Sequence, residues 1–103
     1  MINKDTLGRM KPTAYLINTA RGDLVAEEDL LEALLEKRIA GAALDTFLQE
    51  PPVDQRIVGL PNVVTSPHVG SNTVEAGYRM ARMAAEETIR AIRGEDLRFR
   101  VNQ

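Results

Sequence analysis

Two rhythms of apolar and polar positions run along the chain, and each predicts a kind of element. From Glu27 to Arg38 the leucines Leu30, Leu31, Leu34 and Leu35 form one apolar stripe at helical spacing. Glu27, Glu28 and Asp29 sit at the positive end of that helix and Lys37 and Arg38 at its negative end, as the helix dipole favours. Gly41 follows closely after it. A second, longer helix runs from the capping-box spacing Asn72-Thr73-Val74-Glu75 to about Arg93, with Ala81, Ala84, Ala85, Thr88 and Ile92 on one face and Gly94 as its stop. A short helix is predicted over Asn3 to Met10, capped by Asn3 or Asp5 and stopped by Pro12.

Between the helices lie short apolar runs of buried-strand type: Ala14 to Thr19, Ile39 to Thr46 and Asn62 to Ser66. The small residues of the second run allow a helix to approach closely. Arg21-Gly22-Asp23 reads as a turn, Gln49 to Pro61 as a loop rich in Pro and Gly, and Leu97 to Val101 as an extended tail. Strands alternating with helices predict an α/β fold on a parallel sheet. About three strands make a thin sheet. Either its edge pairs with another copy, giving a homo-oligomer, or the chain is part of a larger domain.

Composition narrows the class. Of 103 residues 44% are apolar and the net charge is −2, which excludes intrinsic disorder and any general attraction to nucleic acid or anionic membrane. The absence of Cys rules out disulfides and thiolate metal sites, and a single His rules out a multi-histidine zinc site, so no metal is expected. No apolar run approaches a membrane span, and Met-Ile-Asn-Lys-Asp at the start has no secretory h-region, so a cytoplasmic location is expected.

In an open parallel sheet, ligands bind at the carboxyl ends of the strands. Arg21 follows the first predicted strand, Asp45 ends the second with Glu50 just beyond, and His68 follows the third. Taken singly, each has an ordinary reading: a solvated turn charge, a turn-forming Asp, a loop Glu, a structural His. Together on one rim they suit a carboxylate or carbonyl substrate. A receiver-like domain needs an acidic cluster at the early strand ends, and an FMN-binding domain needs a phosphate loop after its first strand. Neither pattern occurs.

At these residues the sequence resembles the D-isomer-specific 2-hydroxyacid dehydrogenases, the family of D-3-phosphoglycerate dehydrogenase and the glyoxylate/hydroxypyruvate reductases. Met10-Lys11-Pro12 and Leu16 to Gly22 are similar to that family's arginine motif. Ile39 to Asp45 with Glu50-Pro51 are similar to its glutamate motif, and Leu60 to Val63 with Ser66 to Gly70 to its histidine motif. The resemblance implies an NAD- or NADP-dependent oxidoreductase moving hydride between nicotinamide and a small 2-hydroxy or 2-keto acid. It implies Arg21, Glu50 and His68 as catalytic groups: His68 as general acid/base, Glu50 pairing with it and stabilising the imidazolium, Arg21 holding the substrate. It also implies Thr19, Ala20, Arg21, Asp45, His68 and Gly70 as residues lining the cofactor pocket.

The family's glycine-rich phosphate loop has no counterpart here, because the seven glycines stand far apart. Ala26 stands where a helix-capping Asp is usual, at a cost of about 1 kcal/mol. The resemblance therefore implies a partial Rossmann-like sheet: residues 1–72 as the C-terminal half of an NAD-binding domain, and 73–103 as a crossover helix and closing segment of a substrate domain, with Phe99 to Asn102 as its strand. Such a fragment is expected to bind NADH weakly and to be inactive, or nearly so, without the missing N-terminal part. The alternative is a non-catalytic folded remnant or self-associating module.

Overall fold

Asn3 sets the first turn. In the computed structural model, which describes residues 1–102, its side chain accepts from the Thr6 amide while the Thr6 hydroxyl accepts from the Asn3 amide. This reciprocal cap opens α1 (Lys4–Leu7), which buries Leu7. The helix is a single turn and does not reach Met10. The amides of Arg9 and Met10 bond three residues back, to Thr6 and Leu7, and this tighter winding ends it before Pro12.

The expected α/β class and three-stranded parallel sheet are both present. Strands β1 (Tyr15–Asn18), β2 (Gly41–Leu44) and β3 (Val63–Thr65) lie in that order, with Ile17 opposite Ala43 and Ala43 opposite Val64. Each is shorter than its apolar run at both ends.

Helix α2 (Glu27–Leu35) links β1 to β2. Its N-cap is Ala26, with no side-chain cap bond. The Lys4 amide donates to Asp29 and the Lys4 ammonium to Glu32, which ties α1 to it. The helix ends at Leu35 rather than Arg38, and Lys37 turns left-handed at φ 56°, so Lys37 and Arg38 lie outside its last turn. Leu30, Leu31 and Leu34 are buried, but Leu35 is 61% exposed. It lies about 100° around the helix from Leu34, at the far edge of the stripe. Gly41 belongs to β2 rather than to the helix end. An added Cβ would lie 2.4 Å from the Asn62 carbonyl oxygen, so its smallness admits the backbone leading into β3 and not a helix.

The segment expected as loop contains one further turn, α3 (Gln55–Val58), capped by Asp54 accepting from the Arg56 amide. Ile57 anchors it in the core beside Leu7, Leu30, Ile39 and Leu44. Each such fully buried side chain contributes about 1.5–3 kcal/mol. The opposite face of the sheet is bare: Tyr15, Ile17 and Val64 are each about two-thirds exposed or more.

The chain divides into two compact units, residues 1–70 and the remainder from Ser71. In the second, α4 (Val74–Arg93) is capped by Thr73, which accepts from the Ala76 amide. The cap is thus one residue later than the Asn72–Glu75 spacing predicts, and Glu75 is left free to serve the dipole. Gly94, at φ 68°, ends the helix as expected. No residue of α4 is buried, and Ile92 is 82% exposed. Arg98 pairs with Glu86 and Glu87 and holds the tail along the helix. No strand forms over Phe99 to Asn102, since no second strand lies alongside to receive its hydrogen bonds. Among the described residues no helix is long and apolar enough to cross a membrane.

Candidate active site

The site is built by what happens at the end of each strand. At the end of β1, buried Asn18 folds the next turn onto itself. Its side-chain amide donates to the Arg21 carbonyl at 2.8 Å and its oxygen accepts from the Ala20 amide at 3.1 Å. Thr19, Ala20 and Arg21 are thereby presented outward, all exposed. Arg21 Nη1 donates to the Ala20 carbonyl at 2.7 Å, and among the described residues the rest of its guanidinium fork has no partner. Gly22 then passes so close to the second loop that an added Cβ would lie 1.9 Å from the Phe47 carbonyl carbon. This backbone contact fixes the Arg21 turn against the loop that carries Glu50.

At the end of β2, Asp45 is 5% exposed and fully engaged with the third loop. Its Oδ1 accepts from the Ser66 hydroxyl at 2.6 Å and the Val69 amide at 2.9 Å, and its Oδ2 accepts from the Gly70 amide at 2.8 Å. The Ser66 hydroxyl, and then the two amides, hold this carboxyl below the usual Asp range. Gly70 fits because a methyl there would sit 2.8 Å from Oδ2.

Glu50 closes a small loop. Its Oε1 accepts from the Phe47 amide at 3.0 Å and its Oε2 lies 2.7 Å from His68 Nδ1. The His68 contact, followed by the Phe47 amide, holds the Glu50 carboxyl below its ordinary value. An ionised Glu50 can only accept, so in this contact Nδ1 carries the proton and Nε2 is not engaged by Glu50. His68 itself adopts φ 54°, a left-handed conformation that is rare for a residue with a side chain and that recurs at functional sites.

A cavity of about 400 Å³ is lined by Arg21, Gly22, Phe47, Leu48, Glu50 and His68. A second, of about 480 Å³, shares Phe47, Glu50 and His68 and adds the apolar walls of Pro51, Val58 and Pro67. Of the residues expected from sequence, Asp45, Glu50, His68 and Gly70 are joined through the third loop, and Arg21 faces the same cavity as the Glu50–His68 pair. Thr19 and Ala20 lie on the adjoining turn but line neither cavity. Sequence reasoning assigned nothing to Asn18, Ser66 or Phe47, which arrange these groups. The one available signal was their place beside Arg21, His68 and Glu50. Among the described residues no group of three or more His, Asp or Glu could hold a metal ion.

Residues 1–70 match the family model described as the D-isomer-specific 2-hydroxyacid dehydrogenase NAD-binding domain. A glyoxylate reductase of Thermofilum pendens is 52% identical over 96 residues, covering 92% of this chain and 28% of the relative. The crystal structure of a glyoxylate reductase from Paecilomyes thermophila superposes with a TM-score of 0.85 at 31% identity, covering 98% of this chain and 31% of that one. A D-isomer-specific 2-hydroxyacid dehydrogenase from Xanthobacter autotrophicus Py2, in complex with NADPH and MES, gives 0.83 at 33% identity, covering 98% and 41%. The chain thus spans less than half the length of these relatives, and its partial sheet is that of Rossmann-like dehydrogenases. With the family's domain matched over most of the chain and the same fold in the solved enzymes, this chain belongs to the D-isomer-specific 2-hydroxyacid dehydrogenases.

Proposed function

We propose that this chain supplies the catalytic groups and the nicotinamide-facing edge of an NAD(P)-dependent oxidoreductase acting on a small 2-keto or 2-hydroxy acid. The observation that carries the reading is the 2.7 Å contact between His68 Nδ1 and Glu50 Oε2 beside the cavity that Arg21 also lines. Arg21 binds the substrate carboxylate through its planar fork. In the reducing direction His68 gives its Nε2 proton to the keto oxygen while hydride reaches the carbonyl carbon, so a C=O becomes CH–OH. In the oxidising direction the hydroxyl proton returns to Nε2. Glu50 keeps Nδ1 protonated and the ring aimed, and it stabilises the imidazolium.

NAD(H) or NADP(H), when bound, supplies or accepts the hydride. The residues present fit the nicotinamide end of that cofactor. Thr19 and Ala20 are exposed on the rim, and Gly70 brings its backbone within hydrogen-bond reach of Asp45, where a methyl would sit 2.8 Å from Oδ2. No glycine-rich turn is present to cradle the pyrophosphate. Residues 1–72 then act as the C-terminal half of the NAD-binding domain and 73–103 as a crossover and closing segment. The isolated chain binds NADH weakly and turns over nothing, and complementation with an N-terminal part, in the cytoplasm, completes the enzyme.

A second reading has one observation in its favour. The bare face at Tyr15, Ile17 and Val64 suits a self-associating module without catalysis. A chimera separates the two. This chain replaces the aligned segment of the Thermofilum pendens glyoxylate reductase, and reduction of glyoxylate by NADH or NADPH is assayed. Turnover that disappears with His68→Gln supports the dehydrogenase reading. A folded chimera that binds NADH but transfers no hydride overturns it.

A further inference from the structure

We propose that Ser66 is a positioning residue for the His68–Glu50 pair, acting through the buried carboxylate of Asp45. The proposal rests on the reading above only in taking His68 as the proton carrier. The His68 side chain is 42% exposed, so solvent borders much of the imidazole. Its aim is set by Glu50 at one nitrogen and by its own backbone. That backbone is held in a left-handed conformation that an unrestrained histidine leaves readily.

Asp45 supplies the restraint. The groups that donate to it come from Ser66, Val69 and Gly70, so they bracket His68 on both sides in sequence. The His68 amide also donates to the Ser66 carbonyl at 3.0 Å, and the Ser66 amide to the Leu44 carbonyl at 3.0 Å, next to Asp45 on β2. The loop is therefore clamped onto the rigid end of a central strand. Two of the three donors to Asp45 are backbone amides. The third, the Ser66 hydroxyl, is the only one that depends on side-chain identity, and at 2.6 Å it is the shortest. Three of the roughly four acceptor positions of the carboxylate are spent on this loop. In this geometry the Asp45 carboxylate is therefore engaged chiefly with the loop that carries His68.

Loss of the Ser66 hydroxyl releases the N-terminal side of the clamp. The loop then samples conformations in which Nδ1 no longer meets Glu50, and the ring loses its fixed tautomer. His68 is the chain's one histidine, so histidine-selective ¹⁵N labelling of the full chain reports this ring alone. With the ring neutral, the unmodified chain is expected to show a protonated Nδ1 and a bare Nε2. Glu50→Ala gives the reference for a ring without its partner. Ser66→Ala is expected to move the two ¹⁵N shifts most of the way to that reference, and Ser66→Thr, which keeps the hydroxyl, to restore them. If Ser66→Ala does not fold, Ser66→Cys, similar in size but a weak donor, makes the same comparison. An unchanged tautomer in the folded Ala or Cys variant overturns the proposal. So does a Thr variant that is folded but shifted like Ala. No substrate or cofactor enters the measurement, so its outcome is independent of whether the chimera turns over.

Discussion

Glu50 and His68 meet at 2.7 Å across a gap of eighteen residues, and the Glu50 oxygen not used in that contact is tied to the Phe47 amide. Both carboxylate oxygens are thus engaged, one by main chain and one by the imidazole. Such a pair acts as a unit, and its removal should be read in kcat rather than in substrate affinity. In the chimera, His68→Gln is expected to lower kcat by about 10²–10⁴ with KM little changed. Glu50→Gln should also act mainly on kcat, and Arg21→Lys mainly on KM through the lost bidentate fork. Steady-state kinetics with glyoxylate check all three. A His68→Gln variant with undiminished kcat would sink the proton-transfer role.

Acid should loosen the site in a defined direction. The carboxyls of Asp45 and Glu50 are held below their ordinary values of 3.8 and 4.5 in the folded chain. A depressed carboxyl contributes stability that is complete above its unfolded value and is lost as pH falls through the folded one. These two contributions are therefore flat from about pH 7 to about pH 5 and decline below that. Glu32 and Asp54, paired with Lys4 and Arg56, shift the same way, and solvent screens them and Glu50 more than the buried Asp45. Urea midpoints measured against pH should follow this curve, and Asp45→Asn should flatten its acid limb. An equal acid loss in the variant counts against Asp45 as a principal source.

Thr46 is 2% exposed, and its hydroxyl has no hydrogen-bond partner among the described residues. A buried unpaired hydroxyl costs about 1–3 kcal/mol, and valine has nearly the same shape. Thr46→Val is expected to stabilise the chain by about 1 kcal/mol, or roughly 4–8 °C in Tm for a domain of this size. Calorimetric or CD melting decides it, and a lower Tm would mean that the hydroxyl is satisfied in solution.

The exposed apolar face of the sheet should make the isolated chain associate. Tyr15, Ile17 and Val64 are 68%, 70% and 71% exposed and lie on one surface. A concentration-dependent mass is expected in sedimentation. Ile17→Lys with Val64→Lys should shift it toward monomer without changing the CD spectrum. A strictly monomeric unmodified chain contradicts this.

Local pattern carried much of the fold. The spacing of Leu30, Leu31 and Leu34 located α2, and the parallel-sheet rule brought Arg21, Asp45, Glu50 and His68 to one rim before any geometry was known. The pattern failed where the deciding partner was remote or the element was a single turn. Leu35 looked like a core leucine because a stripe of apolar residues does not state its own width. The turn of α3 was hidden among Pro51, Pro52, Gly59 and Pro61. The Ser66–Asp45 bond and the left-handed turn at His68 depend on contacts more than twenty residues apart and on a dihedral angle, and neither leaves a periodic trace in the sequence.

The contact between Gly22 and the Phe47 carbonyl has a consequence for how mutational maps of this chain would read. Any side chain at 22 meets backbone at 1.9 Å, and neither loop can yield without carrying Arg21 away from Glu50. In a saturation scan selected on activity, position 22 is therefore expected to be as intolerant as His68, the proposed proton carrier, although it has no side chain to offer a substrate. Nor would a compensating change at Phe47 rescue it, because the clash is with main chain that every residue shares. Recombining family members at a crossover between these two positions would test the weld between the loops directly, since each half would bring its own backbone path to a joint that has no slack.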